Sequence, residues 1–210
     1  MAAIVNPTRM ELNRQKKRLA TATRGHKLLK DKQDEMARQF MELIAQNRTL
    51  RTRVENALSQ AMGRFAVAQS VMGEKQVEQA FLIPAAQTGI VCGTRNIMGV
   101  EVPTLESAQD GDAQIDLPYG FAFTSGMLDN AVIAMAQLYP LLIELAACEK
   151  ACDMLAAELE RTRRRVNALE HIMIPEAQQN IRMITMKLED AERSSIVRLM
   201  KVKQMMQDEA

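Results

Sequence analysis

The chain of 210 residues has no tryptophan, two tyrosines and five phenylalanines. That is too little aromatic area for the core of an ordinary globular enzyme, where such rings supply much of the buried surface. Three cysteines, an odd number, argue against a disulfide framework. No run of about 18 apolar residues stands out, and the first residues lack the charged-then-apolar order of a secretory leader, so neither a spanning helix nor an export signal is predicted. A net charge of +1 excludes a global attraction to nucleic acid or to acidic membranes. The expectation is a soluble intracellular protein that reaches any membrane through partners.

Catalytic and cofactor patterns are missing too. RGHKLLK, at 24–30, lacks the first glycine, the Lys-Ser/Thr pair and the preceding strand of a phosphate-binding loop. No nucleophile–base pair and no metal-ligand set emerges. No catalytic residue, cofactor site or metal site is therefore predicted.

What fills the sequence is Ala, Leu, Glu, Lys, Arg and Gln, with 16 methionines, the composition of long helices. Three regions follow, at 8–70, 71–124 and 125–206. The first opens with Thr8-Arg9-Met10-Glu11, a capping-box pattern, after Pro7. No proline then occurs until Pro84. One seam at alternating steps of three and four reads Leu12, Gln15, Leu19, Ala22, His26, Leu29, Gln33, Met36, Phe40, Leu43, Asn47, Leu50, Val54, Ala57, Ala61. A heptad sustained this long predicts a coiled coil.

The middle region is punctuated by glycine and proline. Two β-prone runs around Gly93-Thr94-Arg95-Asn96 predict a β-hairpin over 88–102, and ESAQDGDAQ reads as a loop. In the third region Thr124 or Ser125 is expected to cap a helix with Asp129 in its first turn. Its seam reads Leu138, Leu141, Leu145, Cys148, Cys152, Leu155, Leu159, Thr162, Val166, Leu169, Met173, then Ala177, Ile181, Ile184, Leu188, Ala191. Two successive steps of four form a stutter beside Pro175, which removes the amide due to the His171 carbonyl. Pro140 predicts a second bend.

The fold class predicted is mainly α: a long antiparallel two-helix coiled coil, with a small middle region holding a β-hairpin and short helices. Residue 12 falls near residue 186, and the second helix overhangs the first. Residues 9–27 hold seven Lys/Arg against Glu11, whereas 66–130 hold eight acids against Lys75 and Arg95. The end with the termini is thus basic and the looped end acidic, as befits different partners.

Several residues have both a plain and a sharper reading. Gly25 is either tolerated strain in a helix or a close approach of another backbone. His26 and His171 share a height but lack further ligands. Cys148 and Cys152, one turn apart, read as small seam residues. The methionines read mainly as packing, with Met205 and Met206 open to a sliding contact. The basic run 14–18 has no aromatic neighbours for nucleic-acid stacking.

NPTRMELNRQKKRLATATRGHKLLKDKQDE (6–35), IMGVEVP (97–103), PYGFAFTS (118–125) and RTRRRVNALEHIMIPEAQQNIRMITMKLEDAERSSIVRLMKVK (161–203) together resemble the D subunit of the V-type and A-type rotary ATPases. The resemblance implies a non-catalytic central-stalk rotor. Both termini would insert into the A/B catalytic hexamer, and the looped end would sit on a socket subunit of the proteolipid ring. The small F subunit of the stalk would bind beside the coil, leaving the chain cytoplasmic and peripheral on the membrane. Hexamer contacts are then expected from Arg9, Arg14, Lys16, Lys17, Lys201, Lys203, Met205 and Met206. A partner or regulatory role falls to the hairpin residues Ile90, Val91, Arg95, Ile97 and Met98. The coiled-coil seam centres on Leu29, Met36, Phe40, Leu43, Leu50, Leu155, Leu159, Val166, Leu169 and Ile184. Periodicity by itself equally allows a non-rotary coiled-coil scaffold or tether.

Overall fold

The computed structural model describes residues 6–82, 89–107, 117, 119–120 and 124–208. Its elements run α1 (Arg9–Met72), α2 (Glu74–Ala80), β1 (Ile90–Ile97), β2 (Val100–Ser107), α3 (Gly126–Ala168), a π-helical turn (Leu169–Met173) and α4 (Ile174–Asp208). The chain is mainly α with one antiparallel hairpin. It divides into two compact units, Met1–Asp34 with Glu160–Ala210, and Glu35–Leu159.

In the first unit the start of α1 pairs antiparallel with the end of α3, the π-helical turn and α4. The Glu11 amide donates to the Thr8 hydroxyl at 3.2 Å, the expected cap. The reciprocal half of the capping box does not form. The Thr8 amide already donates to the Asn6 carbonyl at 2.9 Å, so the Glu11 carboxylate instead accepts from the Gln15 amide group at 2.8 Å. Every seam position of this unit from Leu12 to Gln33, and from Thr162 to Leu188, is buried or half-buried. Ala191 is exposed and so lies outside the seam.

The stutter takes a definite form here. The Ile174 amide donates to the Leu169 carbonyl five residues back, closing the wider ring of a π-turn. One extra residue is absorbed just before Pro175, whose missing amide would otherwise leave an α-helical ladder incomplete. Opposite, the His26 Nε2 lies 3.3 Å from a Glu170 carboxylate oxygen. Gly25 has open space where a Cβ would stand, with nothing within 4 Å, so no other backbone approaches it among the described residues.

The second unit pairs the remainder of α1 with α3 and carries the hairpin. Gly73, at φ 86°, ends α1 in a conformation glycine adopts without steric cost, and its amide donates to the Gln69 carbonyl at 2.8 Å. Ser125 caps α3: its hydroxyl accepts from the Met127 amide at 3.3 Å, while Thr124 turns its hydroxyl to the Gly120 carbonyl. Asp129, in the first turn, accepts from the Tyr119 hydroxyl at 2.8 Å. α3 continues through Pro140.

The helical stretch Gly126–Gln207 contains an 18-residue window of mean hydropathy 1.8, long and apolar enough by length and composition to cross a membrane. This departs from the expectation that no such segment exists. AVIAMAQLYPLLIELAAC is dense enough in Ala, Leu and Ile to outweigh Gln137, Pro140 and Glu144. Ala131, Leu138 and Ile143 are buried on the seam, whereas Ile133, Met135 and Leu142 are exposed.

The hairpin turn is not at 93–96. Those residues lie within β1, which runs on to Ile97, and the chain reverses at Met98 (φ 53°) and Gly99 (φ 88°) before β2 begins at Val100. Two consecutive positive φ values make a two-residue turn whose twist matches that of the strands. The Gly99 amide donates to the Asn96 side-chain oxygen at 2.9 Å. Val102 then anchors the hairpin in a core with Met36, Ala151 and Leu155, against which Phe40, Leu43, Ile97, Met98, Val100 and Leu159 pack. The loop expected over ESAQDGDAQ, and residue 88 of the expected hairpin, lie outside the described residues apart from Glu106 and Ser107, which end β2.

Candidate partner-contact surfaces

Pairing in the first unit stops at the beginning of α1. Arg9, the first helical residue, lies 2.6 Å from the Glu192 carboxylate. From Glu189 to Gln207 every residue of α4 is exposed. Ile196, Val197, Leu199, Met200, Val202, Met205 and Met206 are each more than half exposed. At 100° per residue they are spread around the helix rather than gathered into one stripe. A helix apolar on several sides is ordinarily enclosed by other protein.

Of the basic residues singled out, Arg9 is held by Glu192, and Arg14 lies 3.8 Å from Glu11. Lys16, Lys17, Lys201 and Lys203 are exposed. Lys201, Lys203, Met205 and Met206 therefore share the unpaired stretch of α4, while Lys16 and Lys17 lie on the outer face of α1, away from the buried Gln15.

The hairpin residues divide in two. Ile97 and Met98 pack on the core, whereas Ile90, Val91 and Arg95 are exposed. Seam residues divide less sharply. Met36, Leu155, Val166 and Ile184 are buried, and Leu29, Phe40, Leu43, Leu50, Leu159 and Leu169 are half-buried. Asn47 and Cys152 line one cavity of about 400 Å³, with Arg51 3.9 Å from Glu149 beside it. The Cys148 thiol donates to the Leu43 carbonyl at 3.8 Å, and burial pushes the neighbouring Cys152 thiol up from its ordinary pKa. Tyr119 is also pushed up, by burial first and then by Asp129. The Arg38 guanidinium, hydrogen-bonded to Glu35, holds that carboxyl below the usual range.

Sequence reasoning missed one surface. Met62, Phe65, Phe81, Ala131, Val132 and Met135 line an apolar cavity of about 440 Å³ in the second unit, with Phe81 and Tyr119 edge to face at 6.2 Å. Leu82, Val67, Val71 and Met127 are exposed in the same unit. The available signal was apolar residues off the heptad, at Met62, Val67, Val71 and Met135. Among the described residues no three His, Cys, Asp or Glu side chains form a group that could hold a metal ion.

The family model for the ATP synthase D subunit matches residues 11–204, which take in the hairpin and all but the ends of the two long helical segments. The chain belongs to the ATP synthase D-subunit family. Similar members include the V-type ATP synthase D subunit of Acetivibrio thermocellus, 49% identical over 98% of this chain and 93% of the relative. That of a Thermoanaerobacter species is 51% identical over 96% of each chain. That of Clostridioides difficile is 49% identical over 96% of this chain and 90% of its own. The family match covers the unpaired end of α4 as far as Gln204.

Proposed function

We propose that the chain is the central rotor shaft of a V/A-type ATPase, coupling ATP hydrolysis or synthesis in an A/B catalytic hexamer to rotation of a membrane ring and to ion transport. Membership of the D-subunit family supports a stalk component of a rotary ATPase. The observation that carries the finer reading is the unpaired stretch of α4. Its apolar residues on several sides suit a sleeve that surrounds the helix rather than a partner on one face.

In this reading Lys201, Lys203, Met205 and Met206 touch the hexamer, with Arg9, Arg14, Lys16 and Lys17 below them. A pair of helices is asymmetric inside a ring of similar catalytic units. Each angular position therefore contacts the units unequally, and the difference in contact energy biases each toward a different state. Catalysis lies in the hexamer and not in this chain. The missed apolar surface of the second unit is the proposed seat on the socket subunit, and the small F subunit binds beside the coil. The chain is cytoplasmic and reaches the membrane through these partners without inserting.

The test is ATPase turnover of a purified A/B hexamer, with the full chain and with a chain ending at Asp190. Stable insertion and altered turnover by the full chain alone are expected. Equal binding by the shortened chain contradicts the sleeve, and absence of binding by either restores the non-rotary scaffold.

A further inference from the structure

The two edges of the hairpin are not equivalent. In a two-residue hairpin the residues flanking the turn exchange both backbone hydrogen bonds, and the exchange then alternates along the ladder. Ile97 pairs with Val100, so Arg95 with Val102, Gly93 with Thr104, and Val91 with Glu106 are the bonded pairs. The N–H and C=O groups of Asn96, Thr94, Cys92 and Ile90 therefore point away from β2. On the other strand the outward positions are Glu101, Pro103, Leu105 and Ser107.

Pro103 has no N–H, so the outer edge of β2 is interrupted at its middle, a common guard against strand addition. Glu101 and Glu106 add charge to that strand. β1 has no such device. Its four outward donors run unbroken from Ile90 to Asn96, and it is exposed over the same residues, with Ile90 and Val91 more than half exposed. An open edge of this kind is a template for another strand, and proteins normally cover it.

A groove of about 360 Å³ runs between α1 and the tip of β1. Its polar lining is Arg38, Gln39, Glu42 and Gln46 from α1 and Arg95 and Asn96 from β1, its apolar lining Leu43, Ile97 and Met98, and no residue of β2 contributes. Arg38 is already paired with Glu35 and Glu42. Among the described residues Arg95 is paired with no carboxylate.

We propose that the free edge of β1 receives an extended segment of a partner protein in the stalk assembly, adding a third strand to the hairpin. The segment bonds to the backbone of Ile90, Cys92, Thr94 and Asn96, places a carboxylate against Arg95 and meets Gln39 and Gln46 with polar side chains. Main-chain bonds supply the affinity, and the Arg95 pair with the amide lining supplies the selection. Pro103 limits the addition to one side, so the sheet cannot grow further. The choice of partner assembly rests on the stalk reading.

Residue-resolved hydrogen exchange tests this on the full chain, alone and assembled with the hexamer, the small stalk subunit and the socket subunit. The amides of Ile90, Cys92, Thr94 and Asn96 are expected to slow by about tenfold or more on assembly. Thr94→Pro removes one outward donor and none of the hairpin's own bonds, the device Pro103 uses opposite. It is expected to abolish that slowing while Arg95 stays protected. Unchanged exchange at the four amides in a complete complex overturns the proposal and leaves the stalk reading intact. Slowing in the isolated chain that grows with its concentration assigns the edge to a second copy and overturns the partner. A chain that fails to enter the complex overturns the stalk reading together with this one.

Discussion

The Arg9 guanidinium, at the first residue of α1, lies 2.6 Å from the Glu192 carboxylate, and α4 continues past that level to Asp208. As an exposed ion pair it contributes little stability, roughly 0–1 kcal/mol. Its importance is positional. It marks the level at which one helix of the first unit loses its partner, and every residue of α4 beyond it is exposed to the last one whose side chain is described.

Gln15 is the first place to test how the seam is built. Its side chain is 5% exposed and its Oε1 has no hydrogen-bond partner. A buried orphan acceptor costs about 1–3 kcal/mol. Gln15→Leu is therefore expected to raise the urea midpoint of the isolated chain. A lowered midpoint would show that the amide group fixes the helix pairing in a way the single bond to Glu11 does not reveal.

Gly25 offers a parallel case on the helix backbone. With nothing within 4 Å of its Cβ position, Gly25→Ala meets no steric conflict in the chain itself. The gain expected is about 1 kcal/mol, from the higher helix propensity of alanine, read as a rise in thermal midpoint. If the same variant lowers turnover or binding in the assembled complex, the open space at Gly25 belongs to a partner.

Met36 and Leu155 are fully buried where the hairpin meets the two helices. Truncating either to alanine is expected to cost about 2–5 kcal/mol. Hydrogen exchange across β1 and β2 should speed up in step, because Val102 packs into the same cluster. Loss of stability with an unchanged hairpin would place the hairpin's anchor elsewhere.

The three cysteines should separate by alkylation. Cys92 is exposed, whereas Cys148 and Cys152 are half-buried. Burial favours the neutral thiol of Cys152, so its folded pKa lies above its unfolded one. The stability linked to this thiol is full below the unfolded pKa and is lost as the pH rises through the folded pKa. Cys92 is expected to react first with iodoacetamide across the neutral range, and Cys152 only at higher pH or after unfolding. Equal rates for Cys92 and Cys152 at neutral pH would contradict the packing described around Asn47 and Cys152.

The long helices were legible because one physical constraint repeats along them. A step of three or four residues keeps Leu12 through Ala61 on one side, and the structure leaves none of those positions exposed. The stutter near Pro175 was legible for the same reason, although its π-helical form depends on which carbonyl the Ile174 amide reaches. The hairpin was visible as two β-prone runs, but its turn was placed too early. Gly93, Thr94 and Asn96 carry turn chemistry yet lie within β1, while the reversal falls on Met98, a residue with no preference for positive φ. Tertiary packing decided the matter, since Ile97, Met98 and Val100 all sit on the core around Met36.

Contact surfaces were less legible, because a sequence shows which residues are apolar but not which are left uncovered. Met205 and Met206 could be singled out from position alone. The cavity lined by Met62, Phe65, Phe81 and Met135 could not, since α2 brings Phe81 beside Phe65 at 6.3 Å only once the chain is folded. The inequality of the hairpin edges likewise required the strand register, which assigns Pro103 to an outward position.

The most direct test of the rotor reading is single-molecule observation of the assembled complex. The hexamer is fixed to a surface and a bead is attached to the chain through a Lys75→Cys variant, with the native cysteines replaced by serine. Stepwise rotation in one direction that requires ATP and stops when α4 is truncated at Asp190 is the result predicted. A stably bound chain that never rotates while the hexamer hydrolyses ATP would contradict the shaft and leave a static tether.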